Sequence, residues 1–194
     1  MSVALAVYVL DQATKYLVVE NLPLGRPVEV LGTVLQFFFV KNSGAAFSLA
    51  SGSTWIFSIA ASVVTVFIVF FARRIRSTSW AILFGMLLGG TTGNLTDRLF
   101  REPSFGLGHV IDFIQVAGFP AVFNIADSFI VASMGLFIIL TVRGIGLDGQ
   151  RTLKTVTPQT VTPQTVTPTS DTAEPDTAEP DPAEPRLDDD TAAR

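Results

Sequence analysis

The sequence contains no cysteine and a single histidine, His109, among its 194 residues. Without cysteine the chain can form no disulfide, no thiol nucleophile and no cysteine-ligated metal site. One histidine cannot build a histidine-rich metal centre, and no glycine-rich loop of the nucleotide-binding kind is present. We therefore expect no metal, no cofactor and no nucleic-acid partner.

Charge is also nearly absent from four long apolar segments of a chain that is 48% hydrophobic, with a mean hydropathy of +0.48. Roughly 20 apolar residues cross a ~30 Å hydrocarbon layer, so each segment is a predicted transmembrane helix. The predicted spans are residues 1–19, 55–72, 79–96 and 120–142. A cleaved signal peptide is the alternative for the first, but that segment lacks a basic start and is interrupted by Asp11 and Lys15.

The C-terminal residues 143–194 have a different composition, with the repeats TVTPQ and DTAEP. Regular proline and few large apolar side chains predict a disordered tail, because such a segment cannot bury enough surface to fold. Residues 155–194 carry a net charge of −7, whereas residues 1–154 carry +3. The acidic balance of the chain therefore belongs to the tail.

Basic residues cluster between the second and third spans and again after the fourth. They are Arg73, Arg74, Arg76, Arg143, Arg151 and Lys154. In a four-span protein both segments lie on one side, which the positive-inside rule makes cytoplasmic. We therefore expect both termini in the cytoplasm, and residues 20–54 and 99–119 as outer loops.

The first outer loop contains two β-prone runs, residues 28–31 and 34–40, separated by Gly32 and Thr33. This pattern predicts a short hairpin, and the consecutive phenylalanines at 37–39 suit a membrane interface. The expected fold is an all-α membrane protein with four transmembrane helices and a small extracytoplasmic β-hairpin or sheet between helices 1 and 2.

Polar residues of three predicted spans fall within about 12 Å of the outer boundary, at ~1.5 Å of rise per residue. They are Asp11, Lys15, Asn94, Asp97, Asn124 and Asp127. Because ionisable residues in a membrane usually face a bundle interior or a wet cavity, an outward-opening polar pocket is indicated. Simpler interpretations stay open: Asp11 and Lys15 could only neutralise each other, Asp97 could pair with Arg98, and Asn42 could be a turn residue.

Asp112 and Asp127 have no lysine or arginine within four residues in sequence. We expect Asp112 in the loop that enters the fourth helix, and Asp127 about 10 Å below the outer end of that helix. A tertiary partner such as Lys15 or Arg98 is one explanation. The other is a carboxyl pair that shares a proton and so offers an acid and a base together. Such a pair can activate water against an amide, which favours peptide hydrolysis.

Five motifs, in this order, resemble those of the bacterial lipoprotein signal peptidase family, signal peptidase II. They are DQATK (11–15), KNSGAAF (41–47), GGTTGNLTDR (89–98), VIDF (110–113) and FNIADS (123–128). The resemblance implies a membrane aspartic endopeptidase of the bacterial cytoplasmic membrane, with its active site near the outer leaflet. Its expected substrates are diacylglyceryl-modified prolipoproteins, cleaved before the lipidated cysteine by water that the dyad activates.

In that family the catalytic aspartates belong to the VIDF and FNIADS motifs, which correspond here to Asp112 and Asp127. We expect site-lining or supporting roles for Asp11, Lys15, Asn42, Asn94, Asp97, Arg98 and Asn124. Prolipoproteins and membrane lipids are the expected partners, and we expect a monomer. A small proton- or cation-coupled transporter is the alternative function, although acids near one face fit it poorly.

Overall fold

The structure is a computed structural model that describes residues 1–44 and 54–151. Within these ranges lie four long helices and one four-stranded sheet. The helices are α1 (Ser2–Asn21), α2 (Thr54–Phe71), α3 (Thr78–Phe100) and α4 (Ile125–Val142); the strands are β1 (Pro27–Leu31), β2 (Leu35–Asn42), β3 (Val110–Val116) and β4 (Val122–Phe123). Most of the predicted tail, residues 152–194, and residues 45–47 of the second motif lie outside the described residues.

Three of these helices are long and apolar enough to cross a membrane: α1, α2 with its 3-10 extension to Arg74, and α4. Helix α3 contacts all three of them. Because its neighbours cover it, α3 can carry glycine, threonine and asparagine where a lipid-facing helix would carry large apolar side chains. That α3 also crosses the membrane stays a prediction.

The sheet is larger than the predicted hairpin. Strands β1 and β2 pair antiparallel across the predicted turn, and β3 and β4 extend the sheet in the order β1-β2-β3-β4. The assignment of Asp112 to a loop was wrong: it lies within β3 and pairs with Val40 of β2. Residues 110–113 are all buried, so the alternating polarity that marks a half-exposed strand is missing there.

The start of the fourth span also needs correction. Residues 122–123 form β4, paired with β3, and α4 begins only at Ile125. Asp127 therefore lies in the first turn of α4, near its end, and not some 10 Å along a helix that begins at residue 120. The β3–β4 pairing ends where Asn124 caps the helix, which brings strand β3 and the first turn of α4 together.

An apolar cluster fixes the sheet on the helices. Val18 of α1 packs with Phe39 of β2 and with Ile111 and Phe113 of β3. Since successive side chains of a strand point to opposite faces, Ile111 and Phe113 direct Asp112 away from this cluster. The apolar face of β3 thus determines where the carboxyl of Asp112 points.

At the opposite end of the bundle, the segment after α4 packs against the start of α3. The Leu147 carbonyl accepts hydrogen bonds from the backbone N–H groups of Arg76 (3.2 Å) and Ser77 (3.0 Å). The Trp80 indole Nε1 donates to the carbonyl of Ile145 at 3.0 Å, beside a cluster that includes Leu140. The end of α4 is therefore held to the segment between α2 and α3.

Glycines let α1 and α3 approach closely, and a matched pair of variants tests this. A Cβ at Gly89 would lie 2.6 Å from the Ala4 carbonyl oxygen and 2.7 Å from Val7 Cβ, whereas one at Gly135 of α4 would meet nothing within 4 Å. We expect Gly89→Ala to destabilise the protein by roughly 1–3 kcal/mol, as overpacking does, and Gly135→Ala to have little effect. Thermal unfolding in detergent measures both; equal midpoints for the two variants would contradict this packing.

Candidate active site

The side-chain ammonium of Lys15 lies at the centre of a buried polar network. Lys15 is 0% exposed, and its Nζ lies 2.9 Å from Asp11 Oδ2, 2.7 Å from Asp97 Oδ2 and 2.9 Å from Asn94 Oδ1. An ammonium has three donors, so every one has an acceptor. Arg101 Nε donates to Asp97 Oδ1 at 2.6 Å, so two acids and two bases balance in charge.

This network changes two of the simpler interpretations. Asp11 and Lys15 do form the predicted pair within α1, but Lys15 also holds Asp97 and Asn94 of α3, so mutual neutralisation is only part of its role. The suggested ion pair of Asp97 with Arg98 was wrong, because Asp97 pairs with Lys15 and Arg101. An adjacent residue on a helix points to a different side, whereas Arg101 at i+4 shares the face of Asp97.

Asp11 connects α1 to the start of α4. Its Oδ1 accepts the backbone N–H of Ala126 at 2.9 Å, one of the first-turn donors that a helix leaves unpaired. A Cβ at Gly93 of α3 would collide with the Asp11 carboxylate, so glycine is needed there. Asp97 makes a similar connection through its Oδ2, which accepts the N–H of Ile111 in β3 at 3.3 Å.

Asn94 extends the network to Asp127. Its Oδ1 accepts from Lys15 Nζ at 2.9 Å and from Asn124 Nδ2 at 3.0 Å, and its Nδ2 donates to Asp127 Oδ1 at 2.8 Å. Since the oxygen must face the ammonium, the amide nitrogen must face Asp127. The lysine therefore sets the direction in which Asn94 presents a donor to this carboxyl.

Asn124 lies between the two aspartates as the N-cap of α4. Its Oδ1 accepts the Asp127 backbone N–H at 2.8 Å, and Asp127 Oδ2 accepts the Asn124 N–H at 3.3 Å, a capping box. Its Nδ2 then donates to Asp112 Oδ1 at 2.7 Å. One residue thus contacts both carboxyls, and the helix cap fixes its orientation.

Asn42, at the end of β2, contacts the second oxygen of Asp112. Its Nδ2 donates to Asp112 Oδ2 at 2.7 Å, while its Oδ1 accepts the Gly44 N–H at 2.8 Å. The turn role that Asn42 was given as an alternative is therefore real, and it fixes the amide so that its nitrogen faces Asp112. Both oxygens of Asp112 accept from asparagines whose orientation the backbone determines.

The two carboxyls differ in environment. Asp112 is 2% exposed, whereas Asp127 is only half-buried. The pKa of Asp112 is raised from its ordinary 3.8 to about 6. Burial is the largest cause and the negative charge of Asp127 adds to it, while the hydrogen bonds from Asn42 and Asn124 and the charge of Lys15 act in the opposite direction. Within the described residues neither carboxyl forms a salt bridge, so Lys15 and Arg98 are not direct partners there.

Eight of the nine residues predicted from the sequence are joined by direct hydrogen bonds. They are Asp11, Lys15, Asn42, Asn94, Asp97, Asp112, Asn124 and Asp127. Arg98 lies over the Phe57 ring at 5.5 Å, and its buried Nη1 has no hydrogen-bond partner within residues 1–44 and 54–151. Sequence reasoning missed two members: Gln12, which donates to Asp11 at 3.1 Å, and Arg101. The i+4 spacing of Asp97 and Arg101 was the available signal.

The arrangement suits acid–base chemistry at a carboxyl pair. Each asparagine around Asp112 and Asp127 donates a hydrogen bond to a carboxyl oxygen, so in these bonds the carboxyl oxygens are the acceptors. The buried Asp112 holds a proton more readily than an ordinary aspartate, while Asp127 is only half-buried. One group can therefore supply a proton while the other accepts one from water.

Most of the chain is similar to known proteins. A family model described as signal peptidase (SPase) II matches residues 3–143. A lipoprotein signal peptidase of Leifsonia xyli subsp. xyli is 66% identical over 149 residues, which cover 77% of this chain and 69% of that protein. A lipoprotein signal peptidase of Mycobacterium tuberculosis (strain H37Rv) is 45% identical over 148 residues, covering 76% of this chain and 73% of its own length.

The fold also has solved relatives. One structure of a bacterial membrane enzyme superposes with a TM-score of 0.65 at 28% identity and covers 78% of this chain and 92% of its own. A second, also of a bacterial membrane enzyme, gives a TM-score of 0.64 at 29% identity, over 73% of this chain and 90% of its own.

Exchanging the charges of Asp11 and Lys15 tests the network against simple neutralisation. In the double variant Asp11→Lys with Lys15→Asp, the ammonium faces the N–H of Ala126, and the new carboxylate faces Asp97 and Asn94 Oδ1. We expect a loss of stability of about 3–5 kcal/mol, as for other broken buried ion pairs. Folded yield and thermal unfolding in detergent measure it.

The matched control is an exchange at the surface, Lys41→Glu with Glu102→Lys. These side chains pair at 3.2 Å and are 41% and 85% exposed, so reversing them should change little. If the buried exchange were tolerated as well as this one, Asp11 and Lys15 would be no more than a neutralising pair.

Proposed function

The chain belongs to the signal peptidase II family, and we propose that Asp112 and Asp127 are the catalytic dyad of this membrane aspartic endopeptidase. The enzyme removes signal peptides from prolipoproteins, and membership of this family excludes the transporter alternative. The observation that carries the dyad assignment is Asn124, which donates to Asp112 through its side chain and to Asp127 through its backbone.

The environments of the two carboxyls give them different roles. Asp112, with its raised pKa, carries the shared proton and donates it to the oxygen of the scissile carbonyl. Asp127, which is more exposed, takes a proton from water as the water oxygen attacks the carbonyl carbon. When the bond to the cysteine nitrogen breaks, Asp127 gives its proton to the departing amine, and Asp112 takes back a proton from a hydroxyl of the tetrahedral intermediate as the carbonyl reforms, so the dyad returns to its starting state.

The supporting residues act through position. Asn42, Asn94 and Asn124 hold the carboxyls through donors of fixed direction. Lys15, Asp11 and Asp97 hold the helices that carry those donors. A site held in this way keeps the carboxyls in place without rearrangement during reaction. Arg98, whose buried Nη1 has no partner among the described residues, lines the same site.

The membrane supplies orientation. In our proposal α3 is the fourth transmembrane helix, both termini lie in the cytoplasm, and the dyad lies near the outer leaflet of the bacterial cytoplasmic membrane. This orientation is supported by the cluster of arginines just before α3, at the end of the bundle opposite the dyad. The diacylglyceryl chains of the substrate stay in the bilayer, so that the bond before the lipidated cysteine lies at the depth of the dyad. A monomer suffices, because the described residues of one chain provide both carboxyls.

Replacement of each aspartate by asparagine tests the dyad. Asp112→Asn and Asp127→Asn keep the size of the side chain and remove the titrating group. Each should lower the single-turnover rate of cleavage of a diacylglyceryl-modified precursor at least ~100-fold, the lower range for loss of general acid–base catalysis. Because the pair acts as a unit, the double variant should lose little more.

Asp148→Asn is the matched control, since Asp148 is exposed in the segment after α4, at the end opposite the dyad. It should cleave at the rate of the unmodified enzyme. A rate within about tenfold of that value for a folded Asp112 or Asp127 variant would rule out the assignment, because acid–base catalysis supplies more.

The pH dependence tests which aspartate carries the proton. Below pH 6 Asp112 keeps its proton; as the pH rises through about 6 it ionises, and the dyad loses its acid. We expect kcat/KM to fall about tenfold per pH unit above this point. Asn42→Ala removes a hydrogen bond that favours the ionised form of Asp112, so it should shift the fall in kcat/KM to higher pH.

Asn21→Ala is the control for this shift, because Asn21 is an exposed asparagine at the end of α1 whose side chain, among the residues that the structure describes, bonds only its own helix. This variant should leave the pH at which kcat/KM falls unchanged. If kcat/KM rose with pH through 6, or if Asn42→Ala shifted its fall to lower pH, the proton would be assigned to Asp127 instead.

A further inference from the structure

A basic groove lies at the end of the bundle opposite the dyad. It has a volume of about 790 Å³ and is lined by Arg73, Arg74, Arg76 and Arg151, together with residues 146–148 and 150. Asp148 is the single acidic residue among the described residues of this lining, which together carry a net positive charge of three. At ~1.5 Å per residue along α3, it lies about 24 Å from Asn94, far from the carboxyls.

The groove is built on fixed backbone. Its far wall, residues 146–150, is a tight turn in which Gly149 N–H donates to the Gly146 carbonyl at 2.9 Å, and Ile145 and Arg151 pair across its base. The Leu147 carbonyl joins this wall to the backbone N–H groups of Arg76 and Ser77. The arginines thus converge from two segments that are hydrogen-bonded to each other.

The guanidinium groups of the groove lie outside the salt bridges formed by residues 1–44 and 54–151. The salt bridges within the described residues involve Lys15, Lys41 and Arg101 and none of these four arginines. Guanidinium groups bind phosphate oxygens with paired donors. Four of them against one carboxylate exceed the charge of a single phosphodiester and are enough for a ligand that carries two.

An aromatic cleft adjoins the groove. It has a volume of about 250 Å³ and is lined by Phe67, Phe70, Phe71 and Arg74, so Arg74 lines both cavities. Phe67 and Phe70 are 60% and 74% exposed on a helix apolar enough to cross a membrane. Phosphate-binding groups therefore continue directly into a surface suited to acyl chains.

We propose that this groove binds the headgroup of an anionic phospholipid with two phosphates, while an acyl chain lies against the phenylalanines of α2. A free phosphate compound would use the arginines but leave the aromatic cleft unused, which favours a lipid. Basic pockets beside transmembrane helices suit such headgroups. The site is separate from the dyad and does not depend on the peptidase assignment.

The test is native mass spectrometry of the full chain in detergent, titrated with diphosphatidylglycerol, phosphatidylglycerol or phosphatidylcholine. We expect diphosphatidylglycerol to be retained most tightly and phosphatidylcholine least. Arg74→Gln should weaken diphosphatidylglycerol binding about fivefold, the loss expected for one basic residue at an anionic headgroup. Arg151→Gln, on the other wall, should do the same. Neither variant should change the rate of precursor cleavage.

Arg143→Gln is the matched control, because Arg143 is exposed at the same end of the bundle but does not line the groove. It should bind diphosphatidylglycerol as the unmodified chain does. Equal retention of the three lipids, or an equal loss in all three variants, would overturn the proposal and leave only general surface charge. Competition by millimolar pyrophosphate that fully displaces the lipid would assign the groove to a soluble phosphate compound.

Discussion

The Lys15 ammonium is fully buried, and the polar interior of the protein depends on it. A buried charge is costly unless it is paired and all its donors are satisfied. Lys15 meets both conditions with two carboxylates and one amide oxygen, and Arg101 balances the second carboxylate. Since these acceptors come from α1 and α3, the same contacts that neutralise the lysine also fix the two helices against each other.

The hydrogen bond from Lys15 determines the donor and acceptor directions of the later bonds that reach both carboxyls of the site. The ammonium turns the amide oxygen of Asn94 inward, which turns its nitrogen toward Asp127. The same oxygen accepts from Asn124, whose other contacts are the helix cap and Asp112. Asparagine suits these positions because it carries a donor and an acceptor at fixed separation. An aspartate would have offered only acceptors to the carboxyls, and a longer glutamine would be less constrained.

The sequence was sufficient for the apolar helices, for the first hairpin and for the polar residues that meet in the site, because each depends on a local pattern or on depth along a helix. It was not sufficient for β3 and β4. Residues 110–113 are buried without alternation, so only their non-local pairing with β2 identifies a strand. The late start of α4 has the same origin, since Val122 and Phe123 are apolar enough to continue a span but pair with β3 instead. The ion pair of Asp97 with Arg101 was accessible from spacing, whereas its contact with Ile111 required the fold.

The corrected positions of the two aspartates explain how identical side chains come to lie in different environments. Asp112 lies on a buried strand, where removal from water opposes ionisation and its pKa rises. Asp127 lies in the first turn of α4, where the dipole of a helix favours negative charge. Had Asp127 been well inside the helix, as the hydropathy of residues 120–142 predicted, it would have lost this stabilisation. The meeting of strand β3 and the start of α4 therefore places both carboxyls within reach of one asparagine, as the proposed acid and base require.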